Sequence, residues 1–291
     1  MSLIVISVFG VSYAVLLAVT LLWLWNIRRR KERTPIADKL LRPPGETLRR
    51  KVEELNGDLA QAVVIVLVQP AWFFIVVAVL VKIHSGVGSL AILIIGALAT
   101  VAGLAVAIVR LLRVANEFRN YSLGFHGERA VGEEINQLMR DGCYVFHDLP
   151  MEPYGNIDHV IVAPSGVYAV ETKTRRKRKA PPGKQDHVVF YDGDALEYPH
   201  CRDSHGLQQA KQQADRLRNL LSKAVGEPVK VTPILTLPGW FITNRTKPEM
   251  QVVAPKMIRN VVLNGGSRSL TAQQMQRIAH QIEQKCRDVE L

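Results

Sequence analysis

The chain has 291 residues, a formal net charge of +11 and 48% hydrophobic residues, a length that allows one sizeable soluble domain plus a further segment. Its three cysteines show no Cys-x-x-Cys spacing, which excludes a disulfide-stapled secreted scaffold and fits reduced cytoplasmic thiols. The positive charge is uneven, because much of it lies in residues 28–51 and in the run 175–179.

Three stretches without a charged residue follow one another in the first part of the chain: residues 2–27, 59–81 and 83–109. Each is longer than the roughly 20 apolar residues that cross a bilayer as a helix. The first lacks a basic region before its apolar core and a small-residue cleavage site, so we interpret it as a permanent anchor. We therefore predict an all-α transmembrane region with three helices, over about 3–27, 59–81 and 87–109.

The membrane region has the composition of an anchor. Ionisable side chains at mid-membrane, which mark transporters and channels, do not occur in the three stretches. Gly96 and Gly103 are spaced seven residues apart and are suited to close helix packing.

The distribution of Lys and Arg between the loops predicts the orientation. Ten basic residues lie in the loop 28–58, whereas the turn after the second stretch offers only Lys82. Basic loops remain in the cytoplasm, so the N-terminus is expected outside and the C-terminal part inside. We expect residues 1–112 to anchor the chain in a bacterial inner (cytoplasmic) membrane, 113–123 to be a linker and 124–291 to form a cytoplasmic domain.

The C-terminal part alternates helix and strand patterns. Apolar spacing predicts a helix over about 127–140, and the runs CYVFHDL, IDHVIVA, GVYAVETK and HVVFYDG predict strands. A long helix capped by Asp203 or Ser204 follows, then the strands VKVTPILTL and QVVAP. Thr271 and Gln274 stand at capping-box spacing before a last amphipathic helix. This order predicts an α/β fold around one central sheet.

Two strands that otherwise read as buried core carry Asp158, Glu171 and Lys173. Glu171 and Lys173 share one face of their strand, and pairing across Pro164-Ser165-Gly166 places Asp158 opposite Glu171. Two carboxylates and a main-chain carbonyl such as that of Thr172 are oxygen ligands suited to Mg²⁺. A lone Glu-x-Lys is more often a solvated pair, but the facing acid and the adjacent basic run favour a site that acts on phosphates.

The pattern Asp158…Glu171-Thr172-Lys173 resembles the motif of restriction-endonuclease-like nucleases. The strings GFHGERAVGEEI, NIDHVIVAPSGVYAVETKT and LQQAKQQADRLRNLL together resemble the nuclease-related domain (NERD), from about residue 124 to 237. This resemblance implies a restriction-endonuclease-like central mixed sheet flanked by helices. It also implies a nuclease that depends on Mg²⁺ or Mn²⁺.

The resemblance further implies a role for each matching residue. The implied roles are Glu128 as the helix acid at the metal site, Asp158, Glu171 and the Thr172 carbonyl as metal ligands, Lys173 as the catalytic lysine and Gln209 as the helix glutamine near it. The sequence departs from the family pattern at Ile157, which stands in place of proline. It also departs at RRKRKAPPGK, which replaces a Gly- and Trp-containing stretch and leaves the substrate contacts open.

Our leading interpretation is a membrane-anchored, Mg²⁺-dependent nuclease that hydrolyses DNA, or else RNA, at the cytoplasmic face. The alternative is a non-catalytic module tethered to the membrane that binds nucleic acid or a protein. The complete motif favours the enzyme, because a retired site has no physical reason to keep buried like charges together. The cations expected to bind nucleic-acid phosphates, with the anionic membrane surface as the alternative, are Arg175, Arg176, Lys177, Arg178 and Lys179.

Overall fold

The computed structural model describes Leu22 and residues 39–83, 88–244, 250–265 and 269–289. Apart from Leu22, the first predicted span lies outside these residues. The chain divides into two compact units, and of the described residues Gly57–Ala115 belong to the first. Lys39–Asn56 and Asn116–Glu290 form the second unit. Residues 39–56, which the sequence analysis assigned to a loop of the anchor, thus belong to the unit that carries the candidate site.

Two helices in the described residues are long and apolar enough to cross a membrane. They are α1 (Glu46–Ile83) and α2 (Gly88–Ile135). Helix α1 contains the predicted span 59–81, and α2 contains the predicted span 87–109 from residue 88 onward. A Cβ at Gly96 would lie 2.2 Å from Val77 Cγ2, and one at Gly103 would lie 2.0 Å from Gln69 Nε2. Both glycines therefore permit close packing of α2 on α1, as their spacing predicts.

Helix α2 continues well beyond its apolar part. It reaches Ile135 without a break and is followed by a 3₁₀ helix over Asn136–Asp141. The expected linker 113–123 is therefore helical, and the separate helix predicted over 127–140 is the end of α2 plus this 3₁₀ turn. The reason is local, since no proline interrupts the sequence between the two parts.

The second unit contains all the strands of the described residues. In chain order they are β1 (Leu40–Leu41), β2 (Tyr144–Pro150), β3 (Asn156–Ala163), β4 (Gly166–Thr172), β5 (Val188–Tyr191), β6 (Leu196–Glu197), β7 (Arg202–Asp203), β8 (Val231–Thr236), β9 (Phe241–Asn244), β10 (Gln251–Val253) and β11 (Arg287–Val289). Its remaining helices are α3 (His205–Val225), α4 (Pro255–Asn264) and α5 (Ala272–Cys286). The α/β class predicted from the sequence is confirmed.

The central sheet is mixed and has the strand order β10-β8-β4-β3-β2. Strands β2, β3 and β4 pair antiparallel, whereas β4, β8 and β10 pair parallel. The prediction of one sheet is incomplete, because β7-β6-β5-β9 form a second sheet and β1 pairs with β11. All of these extra strands have two to four residues, which is too short for a pattern that identifies a partner.

Both faces of the central sheet are buried. The face toward α3 and α5 carries Val160, Val162, Val167 and Ala169. The alternate residues of the same strands pack on α2 and α4. Because both faces are covered, β3 and β4 read as nearly continuous apolar runs in the sequence. Asp158 and Glu171 interrupt these runs at the end of the sheet where the candidate site lies.

The predicted helix starts also agree with the structure. Thr271 Oγ1 accepts a hydrogen bond from Gln274 N at 3.2 Å, and Gln274 Oε1 accepts one from Thr271 N at 3.0 Å. This is the predicted capping box. At the start of α3, Ser204 is the N-cap residue, and Asp203 Oδ1 accepts from His205 N at 2.9 Å.

Residues 39–56, here called the 39–56 segment, are held to the rest of the second unit by ion pairs. Arg42 Nη1 donates to Asp148 Oδ2 at 2.8 Å, and its Nη2 donates to Asp288 Oδ2 at 2.6 Å. Thr47 donates to the same Asp148 oxygen from its main-chain N and its Oγ1, at 2.8 and 2.7 Å. Asp148 is fully buried, so its carboxylate depends on this segment for a counter-charge.

Candidate active site

The register of β3 and β4 places the two acids opposite each other. Pairing runs from Ala163–Gly166 to His159–Val170, and the next facing positions are Asp158 and Glu171. Asp158 Oδ2 accepts a hydrogen bond from the Thr172 main-chain N at 2.7 Å. The hairpin thus brings these two carboxylates to one end of the sheet, as its turn predicts.

Lys173 is held between the sheet and α3. Its Nζ lies 2.7 Å from Glu171 Oε1 and donates to Gln209 Oε1 at 2.8 Å. One turn further along α3, Gln213 Nε2 donates to the main-chain oxygen of Asn156 at 3.0 Å. The face of α3 that carries both glutamines therefore lies over the ends of β3 and β4.

Glu128 approaches the same cluster from α2. Gly127 allows this approach, because a Cβ there would lie only 1.9 Å from Thr174 Cγ2. Burial, together with the nearby charges of Asp148 and Glu171, raises the pKa of Glu128 to about 8 against the opposing effect of Lys173. The structure thus brings the five predicted catalytic residues, Glu128, Asp158, Glu171, Lys173 and Gln209, into one neighbourhood.

The buried carboxylates outnumber their cationic partners. Burial raises the pKa of Asp158 well above its usual range, with the charges of Glu171 and Glu128 acting in the same direction. Burial also raises the pKa of Glu171, against the lowering effect of Lys173. Arg42 balances Asp148 and Lys173 balances Glu171, but no described side chain forms an ion pair with Glu128 or Asp158. When both are ionised, Glu128 and Asp158 carry two negative charges, the amount that one divalent cation balances.

Unpartnered oxygens in the cluster also fit a cation. Glu128 Oε2 and Glu171 Oε2 are buried and have no hydrogen-bond partner. Within the described residues, however, no group of three or more His, Cys, Asp or Glu side chains is placed to hold one metal ion. The fit therefore rests on Asp158 and Glu171 with main-chain oxygen and water, a set that Mg²⁺ accepts. The role of Glu128 as a further ligand stays a prediction.

Without divalent ions, we expect the second unit to lose stability as the pH rises from about 6.5 to about 8. The folded state holds a proton on Glu128 up to a pKa of about 8, whereas the unfolded chain releases it near 4.5. Stability falls with pH wherever the folded state binds more protons, by up to about 1.4 kcal/mol per pH unit for each proton. The raised pKa values of Asp158 and Glu171 also lower the stability as the pH rises.

The test is a series of melting temperatures in EDTA across this pH range. Below about 6.5 the buried His147 acts in the opposite direction, because burial lowers its pKa to about 4 and unfolding then takes up protons. Between about 6.5 and 8 only the carboxylates contribute in this way. The Glu128→Gln variant should show a flatter profile, and an unchanged slope would contradict the assignment.

The basic run Arg175–Lys179 begins two residues after Lys173, and all five side chains are exposed. Arg175 is partly engaged by the protein: it donates to Asp203 Oδ2 at 2.6 Å, and its guanidinium carbon lies 4.4 Å from the centroid of the Tyr198 ring. Arg176 donates to Asn120 Oδ1 at 2.7 Å. These contacts hold the start of the run beside a cavity of about 540 Å³.

Asp148 belongs to the site region but was missed by the sequence analysis. It lies between the pairs His147–His159 and Leu149–Ile157, so its position in β2 faces that of Asp158 in β3. Its φ of +51° is a left-handed conformation that Asp adopts more readily than most residues. An acid inside the apolar run CYVFHDL was the available signal. The sequence alone could not show which cation balances it.

Comparison with known proteins agrees with the motif. Residues 123–238 match the family model described as nuclease-related domain. None of the curated proteins compared matches the chain. Among solved structures, Pyrococcus furiosus SfsA in complex with Ca²⁺ matches at 15% sequence identity and a TM-score of 0.22, over 54% of this chain and 52% of that one. The present chain thus spans about half of that structure, and a TM-score this low supports no argument about the fold. Residues 123–238 are therefore similar to the nuclease-related domain, in the part of the chain that carries the motif.

Proposed function

We propose that this chain is a membrane-anchored nuclease that hydrolyses phosphodiester bonds of DNA or RNA at the cytoplasmic face, with Mg²⁺ or Mn²⁺. The observation that carries the proposal is the buried cluster of Asp158, Glu171 and Lys173 at one end of the central sheet. Burying like charges together costs several kcal/mol, so a cluster without a ligand would be unfavourable. The family match supports a nuclease-related function.

Each residue of the cluster has a specific task in this proposal. Asp158 and Glu171 would hold the ion, together with the Thr172 carbonyl. When bound, the ion supplies charge neutralisation at the phosphate and a more acidic water. Lys173 is placed to orient the attacking water or to stabilise charge that develops on the phosphate. Gln209 accepts a hydrogen bond from Lys173 Nζ and so fixes the direction of its ammonium group.

A second candidate function is a non-catalytic module that binds nucleic acid or a protein near the membrane. The ion pair between Lys173 and Glu171 favours it, because it occupies one of the proposed ligand oxygens. The enzyme is favoured over this candidate because Glu128 and Asp158 have no cationic partner among the described residues, and the ion pair between Lys173 and Glu171 does not supply one.

The function is tested by a cleavage assay on the full chain in detergent. Linear DNA, plasmid DNA and RNA are incubated with Mg²⁺, Mn²⁺ or EDTA, and a Lys173→Ala preparation controls for contaminating nucleases. We expect cleavage only with Mg²⁺ or Mn²⁺, and none from the variant. Cleavage that is equal in both preparations, or absent under every condition, would contradict the nuclease assignment.

We further propose that α1 and α2 cross the membrane with the connection between Ile83 and Gly88 on the outer side. A fluorescent reporter that matures only in the cytoplasm should be active after Leu291 and inactive when inserted between Ile83 and Gly88. An alkaline phosphatase fusion should give the reverse pattern. Phosphatase activity at Leu291 would place the second unit outside and contradict the positive-inside argument.

A further inference from the structure

A second basic cavity lies beside the carboxylate cluster, at the loop that connects β2 to β3. It has a volume of about 760 Å³, and its lining includes Tyr154, Arg216, Lys223 and Lys285. Tyr154 is 63% exposed, although large aromatic side chains bury much of their surface in most folded proteins. The guanidinium carbon of Arg216 lies 4.1 Å from the centroid of its ring. An aromatic ring is thus presented to solvent beside cations.

The loop that carries Tyr154 is held in place by its own main chain. Met151 N donates to Gly155 O at 2.8 Å, and Tyr154 N donates to Met151 O at 2.8 Å. Gly155 has a φ of +86°, a conformation that glycine adopts without strain. The exposure of the ring is therefore a property of a tight turn that immediately precedes β3, the strand of Asp158.

Helix α3 connects this cavity to the candidate active site. Gln209 contacts Lys173, Gln213 contacts Asn156, and Arg216 lies over Tyr154. These three positions are four and three residues apart, so they lie on one face of the helix. A rise of 1.5 Å per residue places Arg216 about 10 Å along the axis from Gln209.

The basic run 175–179 and the basic cavity lie toward opposite ends of α3, with the carboxylate cluster between them. Arg175 donates a hydrogen bond to Asp203 just before α3 begins, and Lys223, about five turns further along the helix, lines the cavity. Along α3 the sequence of features is therefore the basic run, the carboxylate cluster and then the cavity with Tyr154. A chain of phosphates that follows this face passes the cluster between two cationic surfaces.

The charges in the cavity are suited to phosphate groups. Arg216, Lys223 and Lys285 form no ion pair with any carboxylate of the described residues, whereas Asp288 is paired with Arg42. Glu152 is the remaining acid in the lining. The cavity is thus net positive, which attracts a polyanion and releases its counterions.

We propose that this cavity binds an unpaired strand of nucleic acid, with one base stacked on Tyr154 and the flanking phosphates held by Arg216 and Lys223. This inference rests on the proposed function and names its substrate class: single-stranded DNA or RNA, or the frayed end of a duplex. An exposed aromatic ring stacks on any unpaired base regardless of sequence. A base inside a duplex has both faces covered by its neighbours, so it has no free face to stack on the tyrosine ring.

Binding is measured in EDTA, so that the result does not depend on cleavage. The full chain in detergent is titrated into a labelled single-stranded oligonucleotide and into the corresponding duplex, and anisotropy reports the affinity. We expect Tyr154→Ala to weaken single-strand binding by about 5- to 150-fold, the contribution of one stacked base. Duplex binding should change little, and Tyr154→Phe should bind like the parent chain.

Tyr144→Ala is the matched control, because Tyr144 is an exposed tyrosine at the other end of β2. Its single-strand affinity should equal that of the parent chain. Unchanged single-strand binding by Tyr154→Ala, or an equal loss for single strand and duplex, would overturn the inference. The nuclease function fails separately, if the parent chain binds the strand but does not cleave it with Mg²⁺ or Mn²⁺.

Hydrogen exchange distinguishes nucleic acid from the membrane surface as the occupant. The full chain is placed in nanodiscs of phosphatidylcholine with or without phosphatidylglycerol, and exchange is followed in residues 150–156. Protection by the single-stranded oligonucleotide supports the inference. Protection by phosphatidylglycerol, with none from the oligonucleotide, would show a lipid contact and overturn it.

Discussion

Replacing Asp158 by Asn or Glu171 by Gln is expected to abolish nucleic-acid cleavage while the fold remains intact. Both changes keep the size of the side chain and remove one of the two charges that would hold the ion. Asp158→Asn also retains an oxygen for the hydrogen bond from Thr172 N. We expect the cleavage rate to fall at least about 100-fold, as it does when a group that stabilises the transition state is lost.

The same two variants should be more stable than the parent chain in EDTA. Burial raises the pKa of Asp158, and the charges of Glu171 and Glu128 act in the same direction, so removing one of these charges relieves repulsion. The melting temperature should therefore rise in EDTA, and the stabilisation by Mg²⁺ should disappear. Variants that cleave normally, or that unfold and still respond to Mg²⁺, would show that these acids are structural.

Lys173→Ala separates catalysis from metal binding. The ammonium group acts on water and phosphate, so the variant should lose cleavage but keep its stabilisation by Mg²⁺ or Mn²⁺. Glu133→Gln is a suitable control, because Glu133 is an exposed acid on α2 whose partner is Arg129. It should cleave like the parent chain, since a surface ion pair contributes little.

Replacing Arg42 by Met is expected to destabilise the second unit by about 3–5 kcal/mol, because it leaves the buried carboxylate of Asp148 without a cation. Arg42 is largely buried and bridges Asp148 and Asp288, so methionine replaces its volume but not its charge. Thermal and urea denaturation of the full chain in detergent measure the loss. Lys51→Met, which removes an exposed cation from the same segment, should leave the stability nearly unchanged.

The double variant Arg42→Met with Asp148→Asn tests the cause. If the uncompensated charge is responsible, removing it should recover most of the lost stability, whereas a packing defect would persist. A fragment of residues 113–291 lacks both Arg42 and strand β1, so it should not unfold cooperatively. A stable, cooperative fragment would show that the 39–56 segment is dispensable.

The hairpin at the candidate site could be predicted from the sequence because all its information is local. Alternation along each strand assigns the faces, and the turn at Pro164-Ser165-Gly166 sets the register that pairs Asp158 with Glu171. The capping box at Thr271 and the glycines Gly96 and Gly103 were predictable in the same way. In each case a fixed spacing within one element, or between two consecutive elements, determines the geometry.

The contacts that complete the site were decided by the tertiary structure. Arg42 and Asp148 are separated by 106 positions, and Arg42 and Asp288 by 246. A basic loop residue and a buried strand acid carry no spacing signal that pairs them. The reason is that burial selects the partner: a carboxylate closed off from water needs a cation, and the fold determines which one reaches it.

The placement of α3 shows the same division between sequence and structure. Its apolar stripe predicts a helix and the face that packs on the sheet. Only the packed structure places the edge of that face over Lys173, Asn156 and Tyr154 in turn. The sequence by itself determined the secondary structure, the apolar helices and the paired acids, because these follow from periodicity and turn chemistry. The counter-charge of Asp148 and the surface beside Tyr154 depend on how distant elements pack, which no local period encodes.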